Sequence, residues 1–207
     1  MHLFLDIISP IPEFTVIDDN KIILSRSITQ SEDDKLSDSI IPAFLDIEKT
    51  LNLAKYIKSL IVTTGPASYT SLRVGIAFIL GQHFAKNIKI ATLTAEDLLR
   101  LNISINTDLK HGIYIISANN QRFICYQLNN SKYHYIKLEN QDIKSIKGLN
   151  HIDILYYNYE PLKNFKSKFQ QKKYIINENV VKNFGSLNFL NSNLIKPLYI
   201  SNNKNLN

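Results

Sequence analysis

Few side chains in this sequence have a type and spacing that could do chemistry. Asp6 closes a short apolar run, Leu3-Phe4-Leu5, and Ser9 follows three residues on. A carboxylate and a hydroxyl at a strand end could hold a metal–phosphate group, the main requirement of phosphoryl transfer. The turn that follows works against this. Asp6-Ile7-Ile8-Ser9-Pro10-Ile11-Pro12 has no glycine to admit a phosphate, and its two prolines remove two N–H donors. Asp6 is expected to bond to neighbouring backbone, and Asp6 with Ser9 forms a vestigial nucleotide site. A small metabolite kinase or hydrolase would need Asp6 and an acid from the second half, such as Asp153, to converge on a metal. A nuclease of the ribonuclease-H type would need three or four clustered acids, more than these strands supply.

The histidines are His2, His83, His111, His134 and His151, and no two have the i, i+4 spacing of a helical metal pair. His83 lies in an apolar helical pattern and is expected to be satisfied within it. Cys125 is the single cysteine, which rules out an internal disulfide and a multi-cysteine zinc site. It sits in mid-strand and is expected to be a buried, inert thiol. Ser68 lacks the Gly-x-Ser-x-Gly elbow of a hydrolase nucleophile. No catalytic residue, metal or cofactor is expected.

The most informative stretch is residues 65–75, GPASYTSLRVG. A strand-like run, Leu60 to Thr64, ends at Gly65-Pro66, and a long apolar helix pattern begins about four residues on. Gly65 can take backbone angles closed to other residues, and Pro66 stops the strand. Ser68 and Thr70 can each cap the following helix. Such a corner often holds phosphate, yet the several glycines and the lysine of a Walker loop are missing. Gly65, Pro66, Ser68, Tyr69, Thr70 and Arg73 therefore form a structural corner, with Arg73 expected to anchor it to a nearby carboxylate or carbonyl oxygen.

These residues need a frame. Strands are expected at 3–6, 14–17 and 21–24, with Asp18-Asp19-Asn20 as a hairpin turn. A helix capped by Ser37 should run to about Leu51, tolerating Pro42. Then come a strand at 60–64, a helix at about 70–86, a strand at 88–93 and a helix at about 94–102. Thr94 with Asp97 resembles a capping box. The second half predicts a meander at 113–117, 122–128 and 133–138, with Asn119-Asn120 and Asn129-Asn130 as turns. Further strands are expected at 152–157 and 174–176, separated by a Lys-rich helix. A terminal strand or docked tail follows at 197–200, with residues 201–207 frayed. This is α/β organisation in two lobes, 1–103 and 104–207, each built on a mixed sheet flanked by helices, with the terminal segment free to dock on the first lobe.

The helix at 70–86 is apolar almost all round, whereas a surface helix shows one stripe. Two rows of small residues, Ser71–Gly75 and Ala77–Gly81–Ala85, permit close helix approach. Its second face needs a cover, either the first helix or a partner.

Composition sets the outer limits. The chain has 207 residues, 44% of them apolar, enough for a substantial core. Residues 1–109 carry 10 Lys/Arg and 13 Asp/Glu, while residues 110–207 carry 14 and 5, so the formal charge of +6 sits in the second half. The lysines are dispersed, with no arginine cluster, so biased residue usage explains them better than a nucleic-acid face. No signal peptide and no membrane span is expected, and the cytoplasm is the expected compartment.

Three mixed strands followed by alternating helices and strands, present twice, is the plan of the actin-like ATPase (ribonuclease-H-like) fold. Within it, GPASYTSLRVG resembles the GPGSFTGLRIG signature of the TsaB/YeaZ family, the dimerisation subunit of the bacterial complex that forms threonylcarbamoyladenosine in tRNA. MHLFLDIIS resembles that family's opening strand, SDSIIPAF its HSExLLP, IATLTAEDLL its VxxSSLEAL and PLYIS its PVYLR. Residues between Leu138 and Lys196 carry almost none of the likeness. Departures include Ala67 and Ser71 at signature glycines, and Asp6-Ile7-Ile8-Ser9 for Asp-Thr-Ser-Thr. Ser117-Ala118-Asn119 stands for Asp-Ala-Arg, and Ser201 for the terminal Arg. The resemblance implies a non-catalytic scaffold for tRNA modification beside the anticodon. It implies as partners a catalytic threonylcarbamoyl transferase subunit (TsaD-like) and an ATPase subunit (TsaE-like), or a homodimer when the chain is alone, with any tRNA contact indirect. It places the partner interface on the first two helices, at Ile40, Ile41, Phe44, Ser71, Val74, Phe78 and Gln82.

Overall fold

The computed structural model describes residues 1–31, 34–103, 108–129, 132–138, 147–163, 169–190 and 194–200. The first lobe opens with β1 (His2–Asp6), β2 (Glu13–Asp18) and β3 (Lys21–Ser27), continues through α1 (Leu36–Leu51) and the short α2 (Leu53–Tyr56), then β4 (Ser59–Gly65), α3 (Tyr69–Lys86), β5 (Lys89–Thr94) and α4 (Ala95–Asn102). The second carries β6 (His111–Ser117), β7 (Gln121–Asn129), β8 (Lys132–Leu138), β9 (Ile154–Tyr157), β10 (Gln170–Lys173) and α5 (Ile176–Lys182). The sheets have orders β3-β2-β1-β4-β5 and β10-β9-β6-β7-β8, the same plan used twice. In each, two antiparallel pairs precede parallel additions through crossovers.

Local chemistry accounts for most boundaries. Asp19 and Asn20 both take positive φ, which brings β3 back antiparallel to β2. Asn52 and Asn87 adopt the left-handed conformation that ends α1 and α3. β4 is buried along its whole length, as expected of a central parallel strand. Thr94 begins α4 with a complete capping box: its Oγ1 accepts from the Asp97 N–H at 3.2 Å, and the Asp97 carboxylate accepts from the Thr94 N–H at 2.8 Å. Thr94→Ala is expected to cost about 1 kcal/mol in urea unfolding, with Asp97→Ala costing a similar amount and the double variant less than their sum.

Several boundaries differ from expectation. Ser37 lies inside α1, whose N-cap is Lys35 and carries no side-chain cap; the Ser37 hydroxyl donates to Asp38 instead. The strand expected at 174–176 is β10 at Gln170–Lys173, and Ile176 starts α5. The Lys-rich helix is absent from 158–163; residues 164–168, Asn130 of the expected turn and residues 201–207 lie outside the described residues.

One apolar core spans both lobes, joining Leu5, Ile61 and Leu98 to Ile113, Ile115, Tyr156 and Tyr174; a second, smaller one fills the outer face of the second sheet. The Tyr174 hydroxyl donates to the Leu98 carbonyl at 2.7 Å, and burial pushes its ionisation well up. α5 returns to the first sheet, where Asn177 donates to Glu13 and Phe184, just beyond α5, packs on His2. Leu190 exchanges both backbone hydrogen bonds with Ile90 on β5.

Candidate functional site

The C-terminal ends of β1, β4 and β6 converge where the lobes meet. Asp6 is 7% exposed there. Its Oδ1 accepts from the Ile8 and Ser9 N–H groups and from the Thr63 hydroxyl, and its Oδ2 accepts from the Ser9 hydroxyl at 2.6 Å. Thr63 Oγ1 in turn accepts from the Ile7 N–H. Burial raises the Asp6 carboxyl above its ordinary value, opposed by these hydrogen bonds. The carboxylate folds its own turn together, as its sequence context predicts, and little of its bonding capacity is left for a ligand.

The opposing position is Ser117 at the end of β6, fully buried, whose hydroxyl accepts from the Ser68 N–H at 3.2 Å. This bond between the lobes was not foreseen from the sequence. Asp153 does not join them. Ile154, the next residue, pairs with His111 at the opposite end of β6 from Ser117, and six residues of strand span about 20 Å. The Asp153 carboxylate accepts from the Lys110 N–H instead. The pairing of Asp6 with Asp153 required of a kinase or hydrolase is therefore not made. Among the described residues no three His, Cys, Asp or Glu side chains gather as metal ligands.

The corner at 65–75 is built as expected in part. Ser68 caps α3, its Oγ accepting from the Ser71 N–H at 3.1 Å. Thr70 does not share the capping; it is exposed and faces a cleft. Gly65 has φ +124°, and a Cβ there would lie 2.6 Å from the Leu198 carbonyl oxygen. Leu198 also donates to the Thr64 carbonyl at 2.7 Å, so residues 197–200 are a docked tail. Tyr199 packs on Tyr69 with ring centroids 4.9 Å apart. Among the described residues Arg73 meets neither carboxylate nor carbonyl; its guanidinium lies over the Tyr69 ring at 5.0 Å. His83 is buried, with Nδ1 2.5 Å from the Ile88 carbonyl oxygen. Cys125 is buried too, its thiol pushed up to about 12, chiefly by that burial.

The helices divide their apolar residues between two tasks. Phe44 and Phe78 meet edge-on at 5.1 Å and both pack on Phe14. Ile40, Ser71 and Phe78 are buried within the lobe, so these three expected interface positions are unavailable to a partner. Gly75 belongs to the same inner seam, since a Cβ there would lie 2.6 Å from an Ile7 methyl. Phe44, Val74 and Gln82 are half-buried, and Ile41 is exposed. The second row of small residues is different. Ala77, Gly81 and Ala85 are all exposed, beside Phe84 at 62%, and Leu45 is exposed on α1. Periodicity alone could not say which small row faced inward.

A solved structure similar to this chain, an uncharacterized protein with similarity to the peptidase YeaZ of Pseudomonas aeruginosa, superposes with a TM-score of 0.63 over 97% of this chain and 99% of that one, at 11% identity. The fold is that of the actin-like ATPases. YeaZ from Pseudomonas aeruginosa matches at a TM-score of 0.48 and 12% identity, over 75% of this chain and 74% of that one. An N-acetylglucosamine kinase from Porphyromonas gingivalis matches at 0.41 and 10% identity, over 67% and 48%. No protein-family model matches the sequence, and no curated protein does. No helix among the described residues is long and apolar enough to cross a membrane.

Proposed function

We propose that this chain is a non-catalytic scaffold subunit of the TsaB/YeaZ type. It binds a catalytic threonylcarbamoyl transferase through the helices of its first lobe and supports modification of the tRNA adenosine next to the anticodon. The observation that carries this reading is the exposed row Ala77–Gly81–Ala85 with Phe84. A small-residue row beside an exposed aromatic lets another helix approach closely and bury apolar area, and nothing among the described residues covers it. The closed Asp6 turn agrees: a scaffold needs no triphosphate grip, and nucleotide chemistry belongs to the partners.

The exposed residues also revise the interface. Ile41 and Val74 are kept, Leu45, Ala77, Gly81 and Phe84 are added, and the buried Ile40, Ser71 and Phe78 drop out. A Cβ at Gly81 meets nothing within 4 Å, so a large side chain is accommodated in the isolated subunit. Gly81→Arg and Ala77→Arg are expected to leave thermal unfolding nearly unchanged and to weaken binding to the transferase subunit by about a hundredfold or more. Co-purification and titration calorimetry read this. Normal binding by both folded variants would remove the interface, and micromolar ATP binding by the chain alone would remove the non-catalytic assignment.

A further inference from the structure

The first half of the chain is net negative, yet residues 49–95 contain six Lys/Arg and no Asp or Glu. Five of the six are lysines that the fold gathers at one pole of the first lobe. Lys49 lies in the last turn of α1, Lys55 in α2, Lys58 just before β4, Lys86 in the last turn of α3 and Lys89 at the start of β5. The Lys86 ammonium donates to the Ala54 carbonyl at 3.0 Å, which sets the end of α3 beside α2. Ser59 and Lys89 are partners in the parallel β4–β5 ladder, so Lys58 and Lys89 lead into adjacent strands about 5 Å apart. All five lysines are exposed, and none forms a salt bridge with a described carboxylate. Of the neighbouring acids, Glu48 accepts from the Ala54 N–H at 2.7 Å and Asp18 pairs with the N-terminal ammonium at 3.3 Å. Asp19 lies in the β2–β3 turn, with β1 between β2 and β4.

Lysines in the last turn of a helix offset its dipole, which accounts for Lys49, Lys55 and Lys86. Lys58 and Lys89 serve no helix end. Two exposed rings stand among these charges. Tyr56 is 47% exposed, with the Lys55 ammonium 5.4 Å from its centroid, and Phe84, 62% exposed, precedes Lys86 by two residues. We propose that this pole binds the sugar–phosphate backbone of RNA, which under the function proposed above is the tRNA substrate. Lysines supply mobile point charges for phosphates, and Tyr56 offers its outer face to an unpaired base. An acidic protein segment would use the charges and leave the rings idle. The pole adjoins the exposed row Ala77–Gly81–Ala85, so RNA seated on it runs along the edge of the transferase interface. Contact with tRNA is then direct, where the family resemblance implied an indirect one.

The test is fluorescence anisotropy of the full chain with a labelled, unmodified tRNA transcript and with labelled polyglutamate, at about 50 and about 200 mM salt. The transcript is expected to bind with a Kd of about 1–100 µM at the lower salt and to weaken steeply at the higher. Lys58→Glu combined with Lys89→Glu should weaken it by about tenfold or more and reduce the salt slope by about two. Lys58→Arg combined with Lys89→Arg should retain binding. Tyr56→Ala should weaken it several-fold with the salt slope unchanged. Lys172→Glu combined with Lys173→Glu makes the same change in net charge on β10, the edge strand of the second sheet, and should alter binding by no more than about twofold. Three results would each overturn the proposal: no saturable transcript binding at the lower salt, polyglutamate binding as tightly as the transcript, or equal losses from the two charge reversals in folded protein. All of this is read without the transferase, so a failure here leaves the outcome of Gly81→Arg standing, and the reverse.

Discussion

Phe78→Ala is expected to lower the unfolding free energy by about 3–5 kcal/mol, measured by urea denaturation. Phe78 is 8% exposed and forms a three-ring cluster with Phe14 and Phe44, at centroid separations of 5.4 and 5.1 Å. Removing it opens a cavity between α1, α3 and the first sheet, and the remaining two rings, 6.1 Å apart, cannot fill it without moving a helix. Phe84→Ala, six residues on, is the internal comparison. At 62% exposure Phe84 contributes little to the isolated fold, so its loss should cost no more than about 0.5 kcal/mol. Two phenylalanines of one helix thus separate by several kcal/mol, and near-equal costs would contradict the packing described here.

The second large effect is at Gly65. Gly65→Ala is expected to cost about 2–4 kcal/mol, from backbone strain at φ +124° together with the collision of a Cβ with Leu198. The obstacle is a backbone carbonyl oxygen, which cannot rotate away as a side chain could. The tail must lift, breaking the hydrogen bond from Leu198 to Thr64 and the packing of Tyr199 on Tyr69. Limited proteolysis should then cut the variant within residues 194–200 faster than the parent. Ending the chain at Lys196 removes the collision and leaves only the strain. The truncation and Gly65→Ala should therefore be less than additive. Strict additivity would mean that the tail does not press on this corner.

What could be read from the sequence divides along physical lines. β1, β2, β4, α3 and α4 announced themselves because their signals are local: an apolar run, a pair of Asx residues in a turn, a serine or threonine three residues before its partner. β10 did not, because Gln170-Gln171-Lys172-Lys173 is a polar edge strand that owes its conformation to β9 beside it. The apolar pair Ile175-Ile176 drew the strand reading three to four residues too far along. Ser37 looked like a cap because its residue type is right, yet the chain enters α1 at Lys35. At the candidate site, the Asp6 turn was legible from its prolines and missing glycines. The Ser68–Ser117 bond was not, and although a docked tail was expected at 197–200, its seat against Thr64 and Gly65 was not, since each joins residues tens of positions apart. The division of α3 into a buried and an exposed face was half legible. An all-apolar helix shows that two faces are used, but only the contacts of Gly75 with Ile7 and the open surroundings of Gly81 assign the inner and outer faces.

The return of the chain end to its beginning has a consequence for how the molecule is made. A ribosome delivers Ile90 100 residues before its partner Leu190, and Thr64 134 residues before Leu198. Until then the margin of the first sheet lacks part of its cover, and the carbonyl of Leu98 lacks the hydroxyl of Tyr174. Vectorial synthesis therefore yields a nascent first half that stays incomplete until these later residues have emerged, a span in which it is open to chaperones and to premature association through its unfinished rim.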